Sequence, residues 1–251
     1  MATSEAVPAT RATVGIVLAG GLGTRIKHLL GGMPKPLASA AGRPFLEWVI
    51  RYLHGQGLRR IVISSGYQAQ QIEAFAGALD IAGLQLECVA EDRPMGTAGG
   101  FLNAWAAVAD PRTRALVVNS DSLLLANLAA LHAALEDERI DGAILGLSVE
   151  DASRYGSLDL GAESLLQGFA EKRPGAGIVN AGVYLLRSAT VARFPDAQGP
   201  LSFEREVFPA LLAQGARLKV VEQQAAFLDI GTEESLAMAG RFISDNMHWF
   251  A

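Results

Sequence analysis

Four charged side chains, each placed beside a glycine- or proline-bearing turn or at the end of an apolar run, carry the chemistry: Arg25, Lys35, Asp121 and Asp229. Arg25 closes the stretch Val14-Gly15-Ile16-Val17-Leu18-Ala19-Gly20-Gly21-Leu22-Gly23-Thr24-Arg25, where a short apolar run breaks into glycines, a hydroxyl and a guanidinium. The glycines at 20, 21 and 23 allow a sharp turn and bring bare backbone N–H groups close to an anion. A guanidinium adds a permanent charge with forked donors suited to phosphate. Lys35 follows between Pro34 and Pro36, on a segment stiffened by both rings. The simplest reading is a phosphate cradle formed by Leu18, Ala19, Gly20, Gly21, Gly23 and Thr24; a plain strand-to-helix turn is the alternative.

The two aspartates suit a divalent cation. Asp121 follows the apolar run Ala115–Val118, and Asp229 lies between Leu228 and Ile230. A carboxylate in such company is unfavourable unless it meets a cation. Mg²⁺ takes one or two carboxylates and completes its shell with substrate phosphates and water. The alternative for Asp229 is a cap for the helix starting near Glu233. A second glycine-rich turn, Glu91 to Gly100, opens a helix, so Gly96 and Thr97 are candidates to line a base; the alternative is a simple cap by Thr97.

Two common phosphate motifs fail. No Gly-Lys-Ser or Gly-Lys-Thr exists for a P-loop. A dinucleotide fold wants a carboxylate at the tip of the second strand, and Arg60-Ile61-Val62-Ile63-Ser64-Ser65 ends in serines and Gly66.

The elements that must position these residues alternate. Strands are expected at 14–19, 60–64, 84–89, 115–118 and 142–149, with helices at 44–55, 68–76, 96–108 and 128–135. Alternation implies parallel pairing in a doubly wound α/β sheet, with functional groups beyond the carboxyl ends of the strands. After residue 150 the pattern becomes mixed: strands at 157–160, 165–170, 179–186, 217–221 and 226–230, and helices at 202–212 and 233–243. A small mixed sheet is therefore expected on a Rossmann-like core.

The chain has 251 residues, 50% hydrophobic and 19% charged, with a net charge of -5. That balance suits a globular chain and argues against a nucleic-acid platform. Cys88 is the single cysteine, so no internal disulfide forms, as in a reducing compartment. Residues 1–12 read as a loose leader and 13–251 as one domain. The apolar run after the leader is too short for a signal peptide or a membrane span, which points to the cytoplasm.

In order along the chain, Leu18 to Arg25, Pro34 to Pro36, Pro94 to Gly99, Asp121, Glu171-Lys172, Asn180 to Tyr184 and Asp229 to Thr232 resemble the motifs of sugar-1-phosphate nucleotidyltransferases. The resemblance runs from about 14 to 240. It is closest to the branch using guanine nucleotides and a heptose 1-phosphate, with mannose 1-phosphate as the alternative. It implies a glycosyltransferase-A-like fold and condensation of a nucleoside triphosphate with a sugar 1-phosphate for polysaccharide precursors. One departure is Ser120 where the family usually carries glycine.

The resemblance also implies roles. Arg25 and Lys35 act on the triphosphate, Asp121 and Asp229 hold Mg²⁺, and Gly156, Glu171, Lys172 and Asn180 take the sugar phosphate. Adjacent strand residues point to opposite faces, so Glu171 and Lys172 can share a site only where a strand ends or bulges. Neither nucleic acid nor membrane is an expected partner; a homodimer is left open. The reading from another class is a non-catalytic nucleotide-sugar sensor.

Overall fold

The computed structural model describes residues 13–108, 113–153, 156–170, 174–196 and 199–250. The strands are β1 (Thr13–Ala19), β2 (Ser39–Ala40), β3 (Arg43–Pro44), β4 (Arg60–Ser65), β5 (Gln85–Ala90), β6 (Arg114–Asn119), β7 (Ser122–Leu124), β8 (Gly142–Val149), β9 (Ser157–Leu160), β10 (Leu166–Ala170), β11 (Gly177–Arg187), β12 (Leu218–Gln223) and β13 (Phe227–Asp229). The helices are α1 (Phe45–Gly55), α2 (Ala69–Ala78), α3 (Gly96–Trp105), α4 (Ala129–Ala134), α5 (Ser188–Val191), α6 (Phe208–Ala213) and α7 (Glu233–Asp245).

β1 is the axis. It pairs in parallel with β4 on one side and β6 on the other, and β4 pairs in parallel with β5. Helices cover both faces, which is why Ile61, Val62 and Ile63 are all buried rather than alternating with polar residues. Along β1, Val17 joins the core layer that holds α1 residues Phe45, Trp48 and Val49, whereas Ile16 joins the layer that holds Phe101, Phe203 and Phe208. The alternation follows from the period of a strand. α1 forms because Phe45, Leu46, Trp48, Val49, Ile50, Tyr52 and Leu53 cluster at helical spacing and are buried.

Alternation alone places β8 next to β6. Instead β11 lies between them, antiparallel to both, and β12 pairs in parallel with β8. β8 does run in the same direction as β6, but local periodicity carries no record of which strand is inserted alongside. β11 has the further role of positioning the site. Its second half, Val183 to Arg187, pairs with β6, so its first half projects beyond β6's carboxyl end. There it meets β8, and at Val179 it meets β9, which forms an antiparallel hairpin with β10. This is the expected mixed addition.

Two further differences stand out. The expected helix at 202–212 divides into a π-turn, Phe203–Val207, and α6. Ser202 accepts from the N–H groups of Glu204 and Arg205 and starts the turn. Pro209 has no N–H to continue a regular ladder through it. The strand at 226–230 pairs with β7, a short strand not expected from the sequence, in a ribbon apart from the main sheet. Among the described residues, no helix is long and apolar enough to cross a membrane.

Candidate active site

At Gly20 and Gly23 in the loop after β1, other residues occupy the space a side chain would need, whereas a Cβ on Gly21 would meet nothing within 4 Å. A Cβ on Gly20 would lie 2.3 Å from Glu91 Oε1, and one on Gly66 would lie 2.9 Å from the Gly20 backbone. Gly23 has φ of 57°, and a Cβ there would meet the Lys35 stem at 3.1 Å. Glycine therefore serves close packing here as well as ligand approach. The turn leaves Thr24 and Arg25 exposed, while Ile26 anchors it in the core.

Lys35 opens a 3₁₀ turn, Lys35–Leu37, held between its two prolines. Its Nζ donates to Asp121 Oδ2 at 2.7 Å, and the Lys35 side chain is only 11% exposed. Asp121 follows β6. Ser120 N–H donates to Leu18 O at 3.1 Å, which ties this end of β6 to β1. Ser120 is not among the positive-φ residues, so serine stands in place of glycine without strain. Asp229 arrives from the ribbon: it is in register with Ser122, and Ile230 N–H donates to Asp121 O at 2.9 Å.

Asp229 does not cap α7. Thr232 does so, in a reciprocal capping box with Ser235. Asp229 Oδ1 instead accepts from Gly231 N–H at 2.6 Å. Burial, and then the charge of Asp121, raise its carboxyl above the ordinary range; Lys35, the Gly231 N–H and Arg25 pull it down. The four charged groups expected from the sequence thus share one electrostatic environment.

They line a cleft of about 550 Å³. Leu18, Gly20, Gly21, Gly23, Thr24, Arg25, Lys35, Gly96, Thr97, Asp121 and Asp229 all contribute to its wall. Ala19 does not; it is buried beneath the loop at 1% exposure. No histidine lines this cleft. Thr97 is not a helix cap: the N-cap of α3 is Met95, and Thr97 Oγ1 accepts from Phe203 N–H at 3.1 Å. The first N–H groups of α3 are partly taken, because Ala98 and Gly99 both donate to Leu201 O. Gly96 has φ of 75°, and a Cβ there would lie 2.5 Å from that same oxygen.

Asn180 and Gly156 lie outside that wall and next to one another, Asn180 N–H donating to Gly156 O at 3.0 Å. Gly182 links them to the cleft, since a Cβ on it would fall 2.3 Å from Nδ2 of Asn119, which lines the cleft. Glu171 and Lys172 lie outside the described residues, as does the leader at 1–12.

One charged residue of the cleft escapes sequence reasoning. Glu91 lines the wall after β5, accepts from Ser64 Oγ at 3.1 Å and Met95 N–H at 3.2 Å, and packs against Gly20 and Gly100. In Glu91-Asp92-Arg93 it resembles a solvated turn. The available signal was its position at the carboxyl end of a parallel strand, where ligands bind.

A family model described as nucleotidyl transferase matches residues 14–246. The chain is 33% identical over 229 residues to the mannose-1-phosphate guanylyltransferase of Mycobacterium tuberculosis, across 90% of this chain and 63% of that protein. It thus spans less than two thirds of that relative. It is 30% identical over 220 residues to the D-glycero-alpha-D-manno-heptose 1-phosphate guanylyltransferase of Campylobacter jejuni, across 87% of this chain and 95% of that one. The crystal structure of HddC from Yersinia pseudotuberculosis complexed with GMP-PN superposes with a TM-score of 0.80 at 30% identity, covering 91% of this chain and 98% of that one. With an aligned family model over most of its length and relatives at these identities, the chain belongs to the nucleotidyl transferase family.

Proposed function

We propose that this chain, acting as one domain over 13–251, is a sugar-1-phosphate guanylyltransferase of the cytoplasm. It joins GTP to a sugar 1-phosphate and releases pyrophosphate. D-glycero-α-D-manno-heptose 1-phosphate is the favoured sugar substrate and mannose 1-phosphate the second. The observation that carries the reading is the meeting of Lys35, Asp121, Asp229 and the glycine loop in one cleft. A sensor needs the cradle but has no use for paired carboxylates beside a lysine.

The chemistry needs charge control more than proton transfer. The second pKa of a phosphate monoester is about 6, so the attacking oxygen is already ionised at neutral pH. The absence of histidine from this cleft wall agrees with that. The obstacle is repulsion between two polyanions, roughly 4 kcal/mol for each pair of unit charges at 4 Å and an effective dielectric of 20. Arg25 would hold the β- and γ-phosphates. Lys35 would meet the α-phosphate or the leaving oxygen as charge grows there. On sequence grounds Lys172 would grip the sugar phosphate, with Glu171, Gly156 and Asn180 around the sugar.

Asp121 and Asp229 would hold Mg²⁺. The donor set fits: both are hard oxygen ligands, and Asp229's carboxyl is raised by burial first and by the charge of Asp121 second, both of which a cation would offset. Two protein carboxylates leave the rest of the ion's shell to phosphate oxygens and water. When bound, the ion supplies charge neutralisation between the two phosphate groups.

Glu91 supports guanine. Guanine presents N1–H and N2–H₂ donors on its pairing edge, and a carboxylate accepts both. Ser64 and Met95 hold Glu91 in place while each of its oxygens keeps a lone pair. The test is pyrophosphate release with GTP, ATP, UTP and dTTP against heptose and mannose 1-phosphates. GTP with a manno-configured sugar phosphate should be fastest. Binding without release would favour the sensor.

A further inference from the structure

Asn119 ends β6, in register with Leu18 of β1. Side chains alternate along a strand, so Asn119 shares the face of Val117, which belongs to the core layer of Phe101 and Tyr184. At the carboxyl end of the sheet that face opens, and Asn119 stands half-buried in the wall of the cleft, as Leu18 does. Among the described residues its carboxamide has no hydrogen-bond partner. Neither of its polar atoms is among those shut away from solvent without one, so the amide opens onto the cleft. A carboxamide carries two N–H donors and an acceptor oxygen, and here all of them remain available.

β11 is shaped around this side chain. Its pairing with β8 shifts register between Asn180 and Tyr184, and Gly182 within the shift has φ of 70°. A Cβ on Gly182 would fall 2.3 Å from Asn119 Nδ2 and 3.1 Å from its Cγ, so glycine is what leaves the amide its place. The amide therefore rests against the β11 backbone, two residues from Asn180. The base corner lies the other way. In the sheet order β11-β6-β1-β4-β5, Glu91 follows β5 and packs on Gly20, so β1 stands between Glu91 and Asn119. Asp121, two residues on, accepts from Lys35. A ligand group that reaches Asn119 thus lies past the cradle, beside the phosphate corner and against β11.

We propose that Asn119 is a specificity-determining residue that binds one hydroxyl of the sugar phosphate with its carboxamide. The inference deepens the sugar 1-phosphate reading above and rests on it. A hydroxyl both donates and accepts, and the amide offers the complement of each. The phosphates call for cations, which Arg25 and Lys35 supply, whereas a neutral amide suits a neutral hydroxyl. A sugar phosphate without that hydroxyl would leave the amide facing carbon, with its polar atoms unpaired, and is disfavoured for that reason.

The test uses the full chain with Mg²⁺, read by pyrophosphate release. The sugar substrates are a manno-configured sugar 1-phosphate and its monodeoxy analogues at each hydroxyl; 2′-deoxy-GTP and 3′-deoxy-GTP probe the ribose beside GTP itself. In the unaltered protein, deoxygenation at the contacted position should lower kcat/KM about tenfold. Asn119→Leu keeps the branched shape against Gly182 and removes every hydrogen bond. It should raise KM for the parent sugar about tenfold and leave KM for GTP unchanged. It should also abolish the deoxygenation penalty at one sugar position and leave the others as they were, the mark of a direct contact. Asn119→Ala carries the same comparison if Asn119→Leu fails to fold. Penalties that persist at every sugar position in the variant would overturn the inference. So would a penalty for deoxy-GTP that vanishes in the variant, which would assign the amide to the ribose. Absence of pyrophosphate release from the unaltered protein with any sugar 1-phosphate is a different result, and it would overturn the functional reading instead.

Discussion

Lys35 Nζ donates to Asp121 Oδ2 at 2.7 Å, closing an ion pair between a proline-braced turn and the carboxyl end of β6. Asp229 adds a second carboxylate from a separate ribbon, so one ammonium faces two acids.

Lys35→Ala should lower kcat by about a hundredfold or more while KM for the sugar phosphate changes little, since the charge acts where the transition state gains negative charge. Steady-state pyrophosphate release checks this. Near-normal turnover would remove Lys35 from the chemistry.

Asp229 couples stability to pH. Its carboxyl is raised, by burial first and by Asp121 second. A raised folded-state value gives stability that is fully present below the unfolded value of 3.8 and is lost as pH rises through the folded one. Ionising Asp229 in the absence of a divalent cation therefore costs the folded state stability. Asp229→Asn keeps an acceptor for Gly231 N–H and should raise Tm by about 2 °C in chelator at pH 7, the gap closing as the pH is lowered. The same variant should lose Mg²⁺-dependent activity. Equal Tm values for variant and parent at pH 7 would contradict the electrostatic account.

Glu91→Gln replaces one of the two acceptor oxygens with a donor. Discrimination of GTP over ATP, measured as the ratio of kcat/KM values, should fall by about tenfold or more. An unchanged ratio would mean that the base is read elsewhere.

Gly66→Ala places a Cβ 2.9 Å from the Gly20 backbone, which cannot swing away as a long side chain would. The variant should lose roughly 1–3 kcal/mol of stability, seen in denaturant unfolding, and raise KM for the nucleotide by shifting the cradle. Wild-type values for both would show that the loop has slack.

Much of the site was legible because its residues sit where local physics makes them conspicuous. Gly20 to Arg25 interrupts an apolar strand, Pro34 and Pro36 bracket a lysine, and Asp229 lies between two aliphatic residues. Glu91 was not legible. Its meaning comes from Gly20, Gly66 and Gly100 crowding a common region, and those contacts join three loops far apart in sequence. The same holds for β11: its pattern marks a strand, but its insertion between β6 and β8 is a long-range choice. The local alternative for Thr97, a helix cap, fails because its partner, Phe203 N–H, is supplied from 106 residues away.

Isotope tracing tests the central claim most directly. A sugar 1-phosphate carrying ¹⁸O in its non-bridging phosphate oxygens is incubated with GTP, Mg²⁺ and the protein, and the products are analysed by mass and ³¹P shift. Attack by the sugar phosphate on the α-phosphorus should put label in the bridge between the two phosphorus atoms of a nucleotide sugar and leave pyrophosphate unlabelled. Label in pyrophosphate, or consumption of GTP without a nucleotide sugar, would contradict it.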